Sequence, residues 1–467
     1  MSELIRSLQR DLNDFGEDLH LVGAERLAGR HPGEHRDNFA AGVMAEPATA
    51  EAAAAVVRWC VENDVPVVPQ GGRTGLVGGG ASRPGELILS TARLNRIEAI
   101  DPLARTATVG AGVTLQALQE ATAAGGLTPG IDLAARGSAT IGGMIATNAG
   151  GILAFRNGVM RHQVLGIEAV MPDGSLFSDL TRVVKVSAGP DIKQLLIGSE
   201  GAYGFVTRAV LKLESLNPMR ATALVGVPDA AAALALVAHF RARPALQLEG
   251  AELMWHRYFR DSAEERGFDL GWLEDGAPAV LLVEVSAAGE AEARAALEEG
   301  LAGLWEEYGL TGGIVAASLD QARRFWALRE ESDFIYRRQP SAPSFDVSVP
   351  PGALDAYVAG LRERLDAVRA GFDAYVYGHI ADGNLHISAI GQGVTDAALK
   401  EAIEDAVYTG VGERGGSFSA EHGVGMEKRR AYLTYGNPAR RAAAQAIKAA
   451  LDPKNLFNPG KVPFRAI

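Results

Sequence analysis

The sequence predicts an α+β protein of two or three domains, on three observations. Its 467 residues exceed what one typical core accommodates. Three glycine-rich tracts lie in the first 216 residues, the first directly after a strand-like run. From about Leu216 the texture changes, and strand and helix patterns alternate in an order that suggests an antiparallel sheet backed by helices. The expected divisions are residues 1–216, 217–418 and a last segment, 419–467.

The elements follow in order. Residues 1–30 read as one or two amphipathic helices, and residues 48–63 as a helix with Thr49 as its N-cap. A short strand, Pro66 to Pro69, leads into Gln70-Gly71-Gly72-Arg73-Thr74-Gly75-Leu76-Val77-Gly78-Gly79-Gly80, with six glycines in eleven residues. Such a loop lets backbone N–H groups approach an anion closely, or is simply a flexible turn. It is neither a Walker A loop nor the Gly-x-Gly-x-x-Gly fingerprint. Strands are expected at Glu86 to Ser90, Ile97 to Asp101 and Thr106 to Val109, and a helix from Thr114. The second tract runs from Pro129 to Gly151 and the third from Gly198 to Thr207. Segments with so little side-chain bulk bury poorly alone, so something large and flat is expected beside them. Three tracts spread this far imply an extended ligand, such as a dinucleotide.

In the second half, strands are expected at Ala221 to Val227, Ala279 to Ser286 and Ser344 to Val349. Helices are expected at Asp229 to Ala242, Glu290 to Tyr308, Asp320 to Arg338 and Pro438 to Leu451.

Composition narrows the function. Hydrophobic content of 47% and charged content of 22% describe an ordinary globular protein. A net charge of −12 argues against nucleic acid as a partner. The single cysteine, Cys60, excludes internal disulfides and cysteine-ligated metal sites, and its apolar surroundings make it a core residue. No stretch approaches the about 18 apolar residues of a membrane span. The first residues carry no signal-peptide or lipidation pattern. The expectation is a soluble, cytoplasmic protein.

Two clusters of ionisable residues carry the chemistry. Ala374 to Ile380 and Leu385 to Ile390 read as a β-hairpin around the turn Asp382-Gly383. That turn would set His379 directly opposite His386, close enough for two imidazoles to share a metal ion; two half-buried strand histidines are the alternative. The second cluster is Glu421-His422 in Ser419 to Gly425. Two histidines and a carboxylate suit Zn²⁺, Mn²⁺ or Fe²⁺ and leave one histidine to act as a base.

With these motifs in view, the chain resembles the flavoproteins of vanillyl-alcohol-oxidase type, and within them the FAD-linked D-2-hydroxy acid dehydrogenases acting on D-lactate, glycolate or D-2-hydroxyglutarate. The resemblance rests on Pro69–Gly80, Pro129–Gly151, Gly198–Gly204, Gly378–His386, Ala420–Gly425 and Asn458–Val462. It implies a two-subdomain FAD-binding domain and an antiparallel-sheet cap with helices on one face. It assigns Gly71, Gly72, Arg73, Thr74, Gly75 and Leu76 to the pyrophosphate. Pro129, Asp132, Thr140, Gly142, Gly143, Ala146, Asn148 and Gly151 fall along the flavin and ribityl chain, Glu200 and Val206 near the adenine side, and Asn458 back at the flavin. With no histidine in the first loop, FAD is expected to be non-covalent.

The same resemblance makes His379, His386 and Glu421 ligands of a divalent metal, Zn or Mn, and His422 the catalytic base. It makes Arg329 the arginine that binds the substrate carboxylate, although a surface ion pair with Asp333 at i+4 is an alternative. Asp333, Ser344 and Ser388 are the further candidates at the substrate. Ser344 stands where relatives acting on D-2-hydroxyglutarate commonly have lysine, and Ser388 where they have asparagine, which weakens the case for a second substrate carboxylate.

The expected reaction is oxidation of a D-2-hydroxy acid to the 2-oxo acid, with hydride transfer to flavin. The electrons would pass to a quinone, an electron-transferring flavoprotein or a cytochrome, and a homodimer is the default assembly. An O₂-using oxidase of a larger alcohol, a metal-dependent hydrolase and a non-catalytic flavin module are the rivals.

Overall fold

The computed structural model describes residues 3–391 and 396–464. The chain forms two compact units, Met1–Leu216 with Glu421–Ile467, and Asn217–Ala420.

The first unit holds two sheets. In the four-stranded sheet the order is Leu19–Gly23, Val43–Pro47, Leu87–Ser90, Val67–Gln70; the first pair is antiparallel and the others parallel. Helix Ala50–Glu62 packs its alanine-rich face there, and its start is fixed as expected, because the Ala52 N–H donates to Thr49 Oγ1 at 3.2 Å. The six-stranded sheet runs Ile97–Asp101, Thr106–Gly110, Phe205–Ser215, Val164–Val170, Leu176–Asp179, with Leu127–Pro129 beside the far end of the long central strand.

One expectation needs correction here. The stretch 1–30 is not purely helical: after Glu3–Asp11, residues Leu19–Gly23 are a strand, because they pair residue for residue with Gly23↔Val43 to Leu19↔Pro47. The second glycine tract contains a helix, Ile141–Thr147, capped by the Thr140 hydroxyl and ended by Asn148 at φ 53°. Its glycines serve close packing, since a Cβ at Gly142 would lie 2.7 Å from the Ala111 methyl.

The last segment is built into this unit. Val67 N–H donates to Leu456 O and Asn458 N–H to Val67 O, both at 2.7 Å, so the tail lies along the strand that carries the first glycine loop. The fully buried Lys448 ammonium anchors it, donating to Asp452 Oδ2, Ala202 O and Phe457 O. Three acceptors meet its three protons, which a buried ammonium requires.

The second unit is one seven-stranded sheet, antiparallel throughout, in the order Gly313–Val315, Arg220–Val227, Ala279–Ser286, Gln247–Trp255, Asp373–His379, Asn384–Ile390, Ser344–Ser348. Helices Ala230–Arg241, Glu290–Leu304 and Leu354–Val368 back it. Helices His256–Glu265, Leu319–Glu330 and Phe334–Arg338 close a second cluster over Leu224, Met254, Leu282 and Tyr377. Every residue of the central strand Ala279–Ser286 is buried. The helix expected over 320–338 breaks at Glu331, leaving Asp333 exposed at the start of its second piece. Among the described residues no helix is long and apolar enough to cross a membrane.

Cys60 lies wholly buried in the first unit's core, and burial pushes its thiol up to about 12. Native protein should therefore not react with a chromogenic disulfide at pH 8, whereas protein in guanidinium should release one equivalent of chromophore. Rapid reaction of the native chain would contradict this packing.

Candidate active site

The first unit supplies a glycine-walled cavity. The loop Gly71–Gly80 leaves the strand Val67–Gln70 and is closed at its base by Gln70, whose Nε2 donates to Asn38 O and Gly80 O at 2.6 and 2.7 Å. It meets the second tract backbone to backbone. A Cβ at Gly72 would fall 1.9 Å from Ser138 O, and one at Gly71 2.5 Å from Thr140 Oγ1. No side chain fits between the tracts, so their peptide groups form the wall itself.

Arg73 turns back from this wall at φ 59°. Its guanidinium lies 5.0 Å over the Phe39 ring, and its buried Nε has no hydrogen-bond partner. Burial, then the charge of Arg30, pulls its pKa below the ordinary arginine value. A buried donor on a destabilised cation beside exposed peptide groups suits a large anionic ligand. The residues present therefore fit the pyrophosphate of a dinucleotide.

Of the residues singled out from sequence, Gly71 to Leu76, Thr140, Gly143, Ala146, Gly151, Glu200, Glu421 and His422 all line this cavity. Six others do not, and support it from behind. Pro129 ends the strand paired with Leu213. Asp132 is engaged by Arg136 and Gln119. Gly142 faces Ala111, Asn148 accepts from Arg161 N, and Val206 pairs with Ala169 in the sheet. Asn458 donates to Gly79 O and Glu200 O. The acid of Glu421 accepts the Gly151 N–H, which brings the last segment to the second glycine tract.

The second unit carries a polar row on one face of its sheet. Strand register dictates it: Glu252 pairs with His379, Tyr377 and Asp346 both flank His386, and Ser344 pairs with Ser388. The register corrects one expectation. His379 is not opposite His386; Tyr377 is. The hairpin loop is longer than two residues, because Ile380 N–H donates to Ala251 O of the neighbouring strand and Gly383 N–H to His379 O. The two imidazoles are diagonal neighbours, with ring centres 5.5 Å apart at 78°.

Glu252 organises the row. It is 1% exposed, and its two oxygens accept His379 Nδ1 at 2.6 Å and Arg329 Nε at 2.7 Å. Burial works to raise its pKa, but the charges of His379 and Arg329 outweigh that and hold it below the ordinary carboxylate value. Arg329 is thus no surface residue: it is buried, paired with Glu252 rather than Asp333, and lies 4.8 Å over the Tyr377 ring. With Nδ1 of His379 held on a carboxylate, Nε2 is the ring nitrogen that could hold a metal. Ser344 and Ser388 join hydroxyls at 3.1 Å, with the Tyr336 hydroxyl 2.9 Å from Ser344. Asp346, fully buried, accepts from Asn384 Nδ2 and from Ala420 N–H, next in chain to Glu421.

Sequence reading had not singled out Glu252, Asp346 or Tyr377. The signal for the first was a pair of acids, Glu249 and Glu252, inside the otherwise largely apolar run of Gln247–Trp255.

Comparison with known proteins gives the family and the fold. Residues 41–179 match the "FAD binding domain" family and residues 216–462 the "FAD linked oxidases, C-terminal domain" family. The chain is 37% identical over 427 residues to D-2-hydroxyglutarate dehydrogenase of Xanthomonas citri pv. viticola, covering 90% of this chain and 88% of that protein. It is 33% identical over 421 residues to the mitochondrial D-2-hydroxyglutarate dehydrogenase of Bos taurus, covering 90% and 76%. Among solved structures, p-cresol methylhydroxylase aligns with a TM-score of 0.72 at 16% identity, over 98% of this chain and 96% of its own. Alkyldihydroxyacetonephosphate synthase aligns at 0.69 and 17%, over 97% and 84%. These two show the fold, of vanillyl-alcohol-oxidase type.

Gly72→Ala should force the two glycine tracts apart, and the protein should purify with less than a tenth of the wild-type flavin absorbance per chain near 450 nm, an expected change of about tenfold for a displaced binding wall. Full flavin content in that variant would refute the backbone-to-backbone wall.

Proposed function

This chain belongs to the FAD-linked oxidase family, and from that premise we propose that it oxidises a D-2-hydroxy acid to the 2-oxo acid with FAD and a divalent cation. The observation that carries this reading is the buried row His379–Glu252–Arg329, which presents an oriented imidazole and a cation for a carboxylate on one sheet face. The relatives named D-2-hydroxyglutarate dehydrogenase support the same reaction class.

FAD, when bound, would supply the two-electron acceptor for the C2 hydride. The cation, Zn²⁺ or Mn²⁺, would be held by His379, His386 and Glu421, and would supply acidity to the substrate hydroxyl. The rest is work of this chain's own side chains. Arg329, stiffened by Glu252 and the Tyr377 ring, binds the C1 carboxylate and fixes which face of C2 is presented. His422 takes the hydroxyl proton on an imidazole nitrogen. The glycine wall and Arg73 hold the cofactor's pyrophosphate and exclude water from it. Asp333, exposed at a helix start and near enough to Tyr377 to act on it electrostatically, is the acid at the rim of this row. Ser344 and Ser388 receive the far end of the substrate with neutral hydroxyls, which favours a short acid such as D-lactate over a second carboxylate. A quinone, an electron-transferring flavoprotein or a cytochrome would serve as the final electron acceptor.

Under anaerobic conditions D-lactate should bleach the flavin, and its L-enantiomer should not. Chelation of metal should stop bleaching while the yellow colour stays bound. His422→Asn should slow bleaching by about 10²–10⁴-fold with unchanged flavin content. Full-rate bleaching by metal-free protein would sink the metal role, and no bleaching by any D-2-hydroxy acid would sink the reaction.

A further inference from the structure

Glu200 is a buried acid whose use differs from that of the other residues lining the flavin cavity. It sits in the third glycine tract at a left-handed φ of 51°. Its own backbone is fixed on both sides, the N–H donating to Ala146 O at 2.8 Å and the carbonyl accepting Asn458 Nδ2 at 2.8 Å. Its carboxylate is committed as well. Oε1 accepts the Val424 N–H at 2.6 Å, and Oε2 accepts the Gly425 N–H at 2.7 Å.

Those two donors belong to the loop that carries Glu421 and His422. The loop is shaped to reach the acid. Gly423 has φ 77°, and a Cβ there would lie 2.7 Å from Glu200 Oε1. Gly425 has φ 50°, and a Cβ there would lie 2.0 Å from Val77 O, the carbonyl that also accepts Met426 N–H and Glu427 N–H at 2.9 and 3.2 Å. On the other side of His422, Glu421 accepts the Gly151 N–H. The dipeptide Glu421-His422 is thereby held at both ends, each time by a carboxylate on a backbone amide. Bonds of that kind are charge-assisted when the acid is ionised, and at Glu200 the two amides favour that form against the burial that pushes its pKa up.

We infer that Glu200 is a positioning residue, whose carboxylate clamps the Val424 and Gly425 amides so that His422 and Glu421 face the flavin cavity. This rests on the roles given to His422 and Glu421 under the proposed function. It assigns Glu200 to the loop, not to the cofactor: both oxygens already serve backbone donors. A glutamine in its place keeps one acceptor and turns an NH₂ group on the other amide.

The test uses the FAD-loaded enzyme and three variants, Glu200→Gln, Glu200→Ala and Gly423→Ala. Amide hydrogen exchange over the peptide 421–428 reads the clamp directly and needs no substrate. Each variant should speed exchange there by a larger factor than it lowers flavin absorbance per chain. In Glu200→Gln kcat should fall about 10–100-fold, the usual effect of losing an orienting partner, with KM within about twofold. Gly423→Ala attacks the same contact from the loop side, so the double variant with Glu200→Gln should be little worse than either single one. Unchanged exchange in Glu200→Gln would overturn the inference. So would a loss of flavin in step with activity, since that would make Glu200 a cofactor ligand. If the Glu200 variants do not fold, Gly423→Ala decides by the same exchange measurement. Wild-type enzyme inert to every D-2-hydroxy acid would sink the proposed reaction, yet the exchange result would still decide the clamp.

Discussion

A carboxylate taken out of water must be met by donors, and the segments that meet it lose their freedom. Glu252 imposes this in the second unit. Its two oxygens draw in an imidazole from the hairpin and a guanidinium from helix Leu319–Glu330, elements far apart in sequence. Removing one partner from such a set leaves an uncompensated buried charge, at a cost of about 3–5 kcal/mol. The orientation of His379 and the burial of Arg329 are therefore one fact rather than two. The stacked Tyr258 and Tyr377 rings, 3.9 Å apart, fill the space around them and keep water out.

The first unit depends on the opposite device, the absence of side chains. Where Gly71 and Gly72 approach Ser138 and Thr140, peptide groups touch directly. Such a wall has little apolar surface to bury, so its stability is borrowed from neighbours. The alanine-rich helix Ala50–Glu62 and the tail around Phe457 supply apolar packing beneath it, and Lys448 ties the tail to the third tract.

Much of this was legible in the sequence because it obeys local rules. Thr49 caps its helix through a hydroxyl three residues from its target, and the strands at Ile97–Asp101 and Ala279–Ser286 follow from runs of suitable residues. The glycine tracts announce themselves by composition. What local rules miss is pairing across distance. Glu252 lies 127 residues from His379, and only strand register brings them side by side. The hairpin turn misled for the same reason, since Ile380 bonds to Ala251 in a neighbouring strand and lengthens the loop. Leu19–Gly23 falls within a stretch read as helix but finds a partner strand, and tertiary pairing decides the outcome. Glu421 and Glu200 were visible as residues, whereas the amides they hold were not.

Asn458 reaches Gly79 across 379 residues of chain. A ribosome adding about 5–20 residues per second needs roughly 20–75 s to cover that interval. During translation the first glycine loop therefore waits, complete in sequence but lacking its side support, while the whole second unit is made and can fold. The contacts that tie Asn458 to the first and third glycine tracts can therefore close only when the chain is nearly finished.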